Sequence, residues 1–314
     1  MQPLQPIFVG GTGRSGSTVV GYLLGAHPAI WNTLPREIRF LTDPDGLLDL
    51  TLGVHTRIQN LSTRSLPGLD QLLGALRRHR VRDAVTREDF LRQMYGPWWQ
   101  REIEGEQRGL QRGIDEDALH RALQTFDATH DDDPRGASAA LVHDLLDDPA
   151  RARGAVAWAD TTPQNAENAH RIVELMPEAR VVFMVRDGRD TAASVLGRHW
   201  GPTSPIDALE WWRNRTLRAM RSMARVGPTR GLTVRLGRLV ETDREETLHR
   251  LFGFLGFEVT PEVRAYFADA MTPRHAHTRR WQRDIPSEHL RDFEHRYGEI
   301  WEELTDLGLD LPAL

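Results

Sequence analysis

The residues best suited to chemistry lie near the start of the chain, in Gly10-Gly11-Thr12-Gly13-Arg14-Ser15-Gly16-Ser17-Thr18. Glycines let the backbone approach an anion and turn successive N–H groups toward it. A helix beginning just after them adds its partial positive charge. Gly11 to Thr18 fits the frame G-x-x-x-x-G-K-[ST] of a nucleotide-phosphate loop, except that Ser17 stands where Lys is required. The cation sits instead at Arg14. Without the lysine that grips the β- and γ-phosphates, the loop suits an anionic group but not ordinary NTP hydrolysis. The same residues could also form a strand-to-helix turn without a ligand.

A second cluster is Val181–Ser194, VVFMVRDGRDTAAS. A strand end would deliver the Arg186 guanidinium and the following helix the Ser194 hydroxyl, two groups fit for a second phosphate. The other reading is a strand–helix corner in which Arg186 pairs with Asp187 or Asp190. A third group, Pro35-Arg36-Glu37-Ile38-Arg39, offers a carboxylate that could accept a proton, or a surface ion pair with Arg36 or Arg39. His27 is a rival base, although its place in a helix-ending His-Pro suits capping or packing. His55 and His143 are further candidates without a motif. The 13 histidines include no H-E-x-x-H spacing, so no metal is expected.

The elements that must position these groups read as alternating strands and helices. Pro6–Gly10 is a short buried strand leading into the glycine loop, and Ser17–Ala26 has helical spacing with His27-Pro28 as its stop. Ala155–Ala159, Arg180–Val185 and Leu232–Leu236 read as further strands. Helical patterns follow at Glu167–Leu175, Asp207–Arg225 and Glu245–Leu255, and Ser287–Leu307 closes the chain as an amphipathic helix. This alternation predicts an α/β fold, three-layer α/β/α around a central parallel sheet. Between about 61 and 148 the pattern changes to polar, Arg-rich helices such as Gln71–His79 and Glu88–Met94, with an acidic break at Asp131-Asp132-Asp133-Pro134. We read that stretch as a helical insertion within a single domain spanning 1–314.

Composition narrows the function classes. With 314 residues the chain can bury a full core, and a net charge of −5 gives no reason to expect a nucleic-acid partner. Any anionic ligand must be held by a local basic pocket. There is no cysteine, hence no disulfide and no thiolate metal site. There is also no lysine, so all 40 cationic side chains are arginine and any phosphate or sulfate chemistry must use guanidinium groups. Met1–Pro6 shows no secretory pattern and no apolar run is long enough for a bilayer, so a cytoplasmic enzyme is expected. The pairs Trp98-Trp99 and Trp211-Trp212 suit a core or pocket wall better than a base-stacking platform.

Gly10–His27 resembles the 5′-phosphosulfate loop of sulfotransferases, especially the tyrosylprotein sulfotransferases and related bacterial enzymes, which carry an Arg-Ser-Gly-Ser/Thr-Thr core followed by Ala-His-Pro. The resemblance implies a donor, 3′-phosphoadenosine 5′-phosphosulfate (PAPS), whose sulfuryl group passes to an acceptor, expected to be a hydroxyl of a small molecule or glycan. Gly11, Thr12, Gly13, Arg14, Ser15, Gly16, Ser17 and Thr18 would hold the 5′-phosphosulfate. Arg186 and Ser194 would hold the 3′-phosphate, and Glu37 in the Glu-x-Arg pattern Glu37-Ile38-Arg39 would be the base. Asp160-Thr161-Thr162-Pro163 is similar to the family's Lys-Thr-Pro or Lys-Asp-Pro site. Thr161 replaces the lysine there, leaving Arg39 or a Thr hydroxyl to support the leaving phosphate. Leu239–Gly256 is similar to another family stretch, and Arg279-Arg280-Trp281 resembles a late basic loop that closes over the donor. Two other classes remain open, a P-loop nucleotide kinase with a displaced cation and a nucleotide-binding protein without catalysis.

Overall fold

The computed structural model describes residues 2–33, 37–54, 85–103 and 105–309. The expected helix Gln71–His79, together with Arg36 and His55, lies outside them. A sheet of five strands is built from β1 (Gln5–Gly11), β2 (Ile30–Asn32), β5 (Ala157–Asp160), β6 (Arg180–Val185) and β7 (Gly231–Arg235), in the order β2-β5-β1-β6-β7. All neighbours are parallel, with Phe8 opposite Asp160 and Gly11 opposite Met184. The strands expected from the sequence are present with boundaries moved by a residue or two. β2 was not anticipated, because three residues are too few to show alternation. A two-stranded antiparallel pair, β3 (Glu102–Ile103) and β4 (Glu106–Gln107), stands apart.

Successive strand residues point to opposite faces, and each face has its own apolar layer. On one, Ile7, Val9, Ala159, Val182 and Met184 meet α1 (Ser17–Gly25), α9 (Arg244–Leu255) and α10 (Pro261–Ala270). On the other, Phe8, Trp158 and Val181 meet α2 (Leu47–Leu52), α3 (Arg87–Met94), α4 (Glu116–Thr129), α5 (Pro134–Arg151) and α6 (Ala169–Leu175). Toward β6, that second face continues through Phe183 and Val185 to α7 (Gly188–Val195), α8 (Pro205–Val226) and α11 (Ser287–Asp306). The fold is therefore three-layer α/β/α. The polar helices α3 to α5 bury Phe90, Phe126 and Leu141 in the same cluster as Trp158 of the sheet. The acidic break between α4 and α5 serves as a cap, Asp133 Oδ1 accepting the Gly136 N–H at 2.9 Å. The Trp pairs are all buried, as a core or wall role requires.

β1 lies in the middle of the sheet, between β5 and β6. In open parallel sheets ligands bind beyond the carboxyl ends of the strands, where neighbouring connections diverge. The loops leaving β1, β5 and β6 carry the glycine loop, Thr161 and Arg186, the loop leaving β2 carries Glu37 and Arg39, and Arg279 and Arg280 come from a late turn.

Candidate active site

β1 ends at Gly11, and α1 begins at Ser17 with Gly16 before it in a left-handed conformation, φ 95°. A side chain at Gly16 would be strained there. Gly10 is required for another reason. A Cβ at that position would stand 2.1 Å from the Ala166 amide nitrogen, so only glycine lets the β1 end pack against the turn after β5. No acidic residue occupies the first turn of α1, which leaves its positive end uncompensated. Thr12, Ser15 and Ser17 are buried, and the Ser15 hydroxyl has no partner among the described residues. Thr18 is exposed. The loop has the shape and the donors of an anion cradle.

The second motif converges on this loop. Asp187 accepts the Arg189 N–H at 2.8 Å and starts α7, which carries Ser194 at its far end. Arg14 donates through Nε to Ser194 Oγ at 3.0 Å, and Arg280 Nη1 reaches the same oxygen at 3.4 Å. Arg186 donates to the carbonyls of Arg14 at 3.1 Å, Ala276 at 2.9 Å and His277 at 2.8 Å. Arg186 and Ser194 are therefore joined through Arg14 instead of to each other. Asp187 is taken up by Arg189, while Asp190 forms a long buried ion pair with Arg186 at 3.9 Å, so the corner pairing is present with Asp190 alongside the carbonyl contacts. Burial first, then Arg198 and Arg280, lower the Arg14 pKa. Burial likewise lowers that of Arg186, with Arg280 and Arg14 adding to it against Asp190. Crowded guanidinium groups favour a bound anion.

Arg279 does not join this cluster. Its backbone is left-handed, φ 59°, and its side chain turns outward to Glu241 at 2.6 Å. Of the two adjacent arginines only Arg280 faces Ser194.

Glu37 lies on the loop after β2, and the residue next to it, Ile38, is tied to a buried carboxylate on β5. Asp160, fully buried at the carboxyl end of β5, accepts the Ile38 N–H at 3.1 Å, the Thr162 N–H at 3.2 Å and Asn165 Nδ2 at 2.7 Å. Burial raises the Asp160 pKa, and these donors oppose the shift. Glu37 accepts from Arg39 Nε at 2.8 Å and lies 3.7 Å from Arg101 Nη1. Arg39 also reaches Asp43 at 3.3 Å. Burial works against the charge on Arg39, but Asp43 and Glu37 outweigh it and raise its pKa. The carboxylate is only partly exposed, with 29% of its side chain accessible. Thr161 is buried, and its hydroxyl has no partner among the described residues.

The other histidines are placed differently. His27 is buried against Phe252 and Phe257, and its Nδ1 accepts the Ala29 N–H at 3.1 Å. Burial lowers its pKa. Those contacts fit packing and capping. His143 is bound between Asp147 and Glu178 at 3.1 and 2.9 Å.

A sequence model of the sulfotransferase family matches residues 68–261. The chain belongs to the sulfotransferase family. The match includes the helices before β5 as well as the motif at Arg186–Ser194, and it begins after the glycine loop. No curated protein matches the chain at a significant level. Among solved structures, the sulfotransferase domain of the Synechococcus PCC 7002 olefin synthase aligns at 18% identity and a TM-score of 0.50, covering 99% of this chain and 98% of that one. The sulfotransferase domain from the curacin biosynthetic pathway aligns at 16% identity and a TM-score of 0.50, covering 99% of both chains. A sulfotransferase from Mycobacterium avium aligns at 18% identity and a TM-score of 0.46, with coverage of 99% and 78%. At such identities the likeness concerns the fold.

Three residues of the sulfotransferase have positioning contacts that the sequence does not show. Asp160 anchors the Glu37 loop, Asp190 holds the turn around Arg280, and Arg101 brings a cation from the helical segment to Glu37. Asp160 was visible as part of Asp-Thr-Thr-Pro and Asp190 as part of Arg-Asp-Gly-Arg-Asp. Arg101 had no local signal. Among the described residues no helix is long and apolar enough to cross a membrane.

Proposed function

We propose that this sulfotransferase takes PAPS as its donor and transfers the sulfuryl group to a hydroxyl of a small molecule or glycan. The observation that carries the reading is the convergence of Arg14 and Arg280 on Ser194, with Arg186 on the Arg14 carbonyl, beside the glycine loop. One anion cradle would suit any phosphate. A second basic site at this junction suits a nucleotide with phosphates at both the 5′ and 3′ positions. The loop Gly11 to Thr18 and the α1 N-terminus hold the 5′-phosphosulfate, while Arg280, Ser194 and Arg186 serve the 3′-phosphate. A kinase reading gains nothing here, because ATP has no 3′-phosphate to occupy the second site.

In the reaction the acceptor oxygen attacks sulfur as the bond from sulfur to the bridging oxygen of the 5′-phosphate breaks. The acceptor proton passes to Glu37, and adenosine 3′,5′-bisphosphate (PAP) leaves. Little covalent chemistry falls to the protein, so in-line positioning and neutralisation of oxygen charge provide most of the acceleration. Arg39 is engaged by Glu37 and Asp43 and orients the base. The buried Thr161 hydroxyl, standing where the family carries lysine, supports the leaving phosphate.

The test is thermal stabilisation by nucleotides. PAP should raise Tm far more than ATP at equal concentration, since stabilisation grows with the logarithm of concentration over Kd. Equal shifts with ATP would overturn the assignment of PAPS as donor.

A further inference from the structure

Asp190 is 3% exposed in the first turn of α7 and faces away from solvent toward the segment that carries Arg280. Its Oδ2 accepts the Arg279 N–H at 3.0 Å, and its Oδ1 accepts the Trp281 N–H at 3.3 Å. The residue between those two amides is Arg280. This turn is not relaxed backbone. His277 and Arg279 are both left-handed, with φ of 51° and 59°, a region that residues with a Cβ avoid unless their surroundings impose it. The imposing groups are Asp190, on two N–H groups, and Arg186, on the carbonyls of Ala276 and His277. A left-handed Arg279 sends its own side chain outward to Glu241, and Arg280 faces inward, its Nε and Nη2 on Asp284 at 2.8 and 2.6 Å and its Nη1 toward Ser194 at 3.4 Å. Both Asp190 oxygens accept from backbone, and Oδ2 also lies 3.9 Å from Arg186 Nη2, so the carboxylate's charge is taken up within the turn.

We propose that Asp190 is a positioning residue for donor recognition: it clamps the turn around Arg280 so that this guanidinium stands beside Ser194 and engages the donor's 3′-phosphate. The proposal rests on the reading of Ser194, Arg186 and Arg280 as the 3′-phosphate site. Asp190 touches no nucleotide and acts through Arg280.

Dissociation constants for PAP and for adenosine 5′-monophosphate, measured by calorimetry, separate this role from a general structural one. The wild type should prefer PAP by roughly a hundredfold or more, as two charge-assisted contacts to the 3′-phosphate imply. Asp190→Asn retains one acceptor but turns an amide N–H against a backbone N–H. It should lose about tenfold of that preference through PAP alone, with the monophosphate affinity unchanged. Arg280→Ala should lose a similar factor, and Asp190→Asn combined with Arg280→Ala should be no worse than Arg280→Ala. A residue that merely supported the fold would weaken both nucleotides alike. An unchanged ratio in Asp190→Asn, or losses that multiply in the double variant, would overturn the proposal while leaving the donor assignment standing. A wild type that does not distinguish the two nucleotides would overturn both. Asp190→Asn carries the test even if Asp190→Ala fails to fold.

Discussion

Arg14 and Ser194 lie 180 residues apart, yet Arg14 Nε donates to Ser194 Oγ at 3.0 Å. The contact joins the glycine loop after β1 to the helix after β6, and through Arg280 it reaches the late turn as well. A ligand with two anionic ends, bound as proposed, would meet both halves of this bridge.

Arg14→Ala should therefore weaken PAP binding by a factor of ten or more, as loss of one charge-assisted contact of about 1.5–3 kcal/mol implies. Turnover should fall further, because the same guanidinium faces charge that grows in the transition state. Calorimetry and initial rates check the two separately. Normal turnover in this variant would remove the glycine loop's arginine from the mechanism.

Glu37→Gln keeps size and most hydrogen bonding but cannot take a proton. We expect PAP affinity within a few-fold of wild type and a kcat lower by about two orders of magnitude. His27→Ala should leave kcat nearly intact in whatever fraction folds, since that ring is engaged by Ala29, Phe252 and Phe257. The opposite ranking would move the base to His27.

His143 gives a pH dependence of stability. Burial opposes its charge, but the hydrogen bonds its ring donates to the Asp147 and Glu178 carboxylates outweigh that and raise its pKa to about 9. An unfolded histidine titrates near pKa ~6.5. The folded state thus binds the proton more tightly, and the stability this gives is complete below that value and lost as pH rises through the folded pKa. Tm should fall between pH 6.5 and 9 by more in wild type than in His143→Gln. Parallel curves for the two proteins would show that the histidine does not carry the effect.

What could be read from the sequence was local. The run Val181–Val185 is apolar throughout and ends in a turn, so a buried strand followed by a helix is the natural solution. The glycine loop is legible because closeness of backbone to an anion demands glycine at short spacing. What escaped was set by distant partners. The Asp160 bond to Ile38 spans 122 residues and the Asp190 bond to Arg279 spans 89, so no spacing along the chain could announce either. Arg279 and Arg280 look equivalent as letters, and only the left-handed backbone at Arg279 decides which one turns inward. Lys-to-Thr replacement at position 161 was plain, but not that the remaining hydroxyl would be buried without a partner among the described residues.

The adjacency of β1 and β6, with Gly11 level with Met184, also makes the sheet a gauge. Neighbouring strands are held about 4.8 Å apart by their ladder of hydrogen bonds, so the two basic loops emerge at a fixed offset that neither can adjust alone. One residue inserted between Gly11 and Ser17, or between Val185 and Gly188, would slide its arginine relative to the other, and no side-chain change could restore the fit. The connection from α4 to α5 lies under no such ruler. Length variation is tolerable there and intolerable at the strand ends, which makes insertion scanning a map of where the molecule measures its ligand.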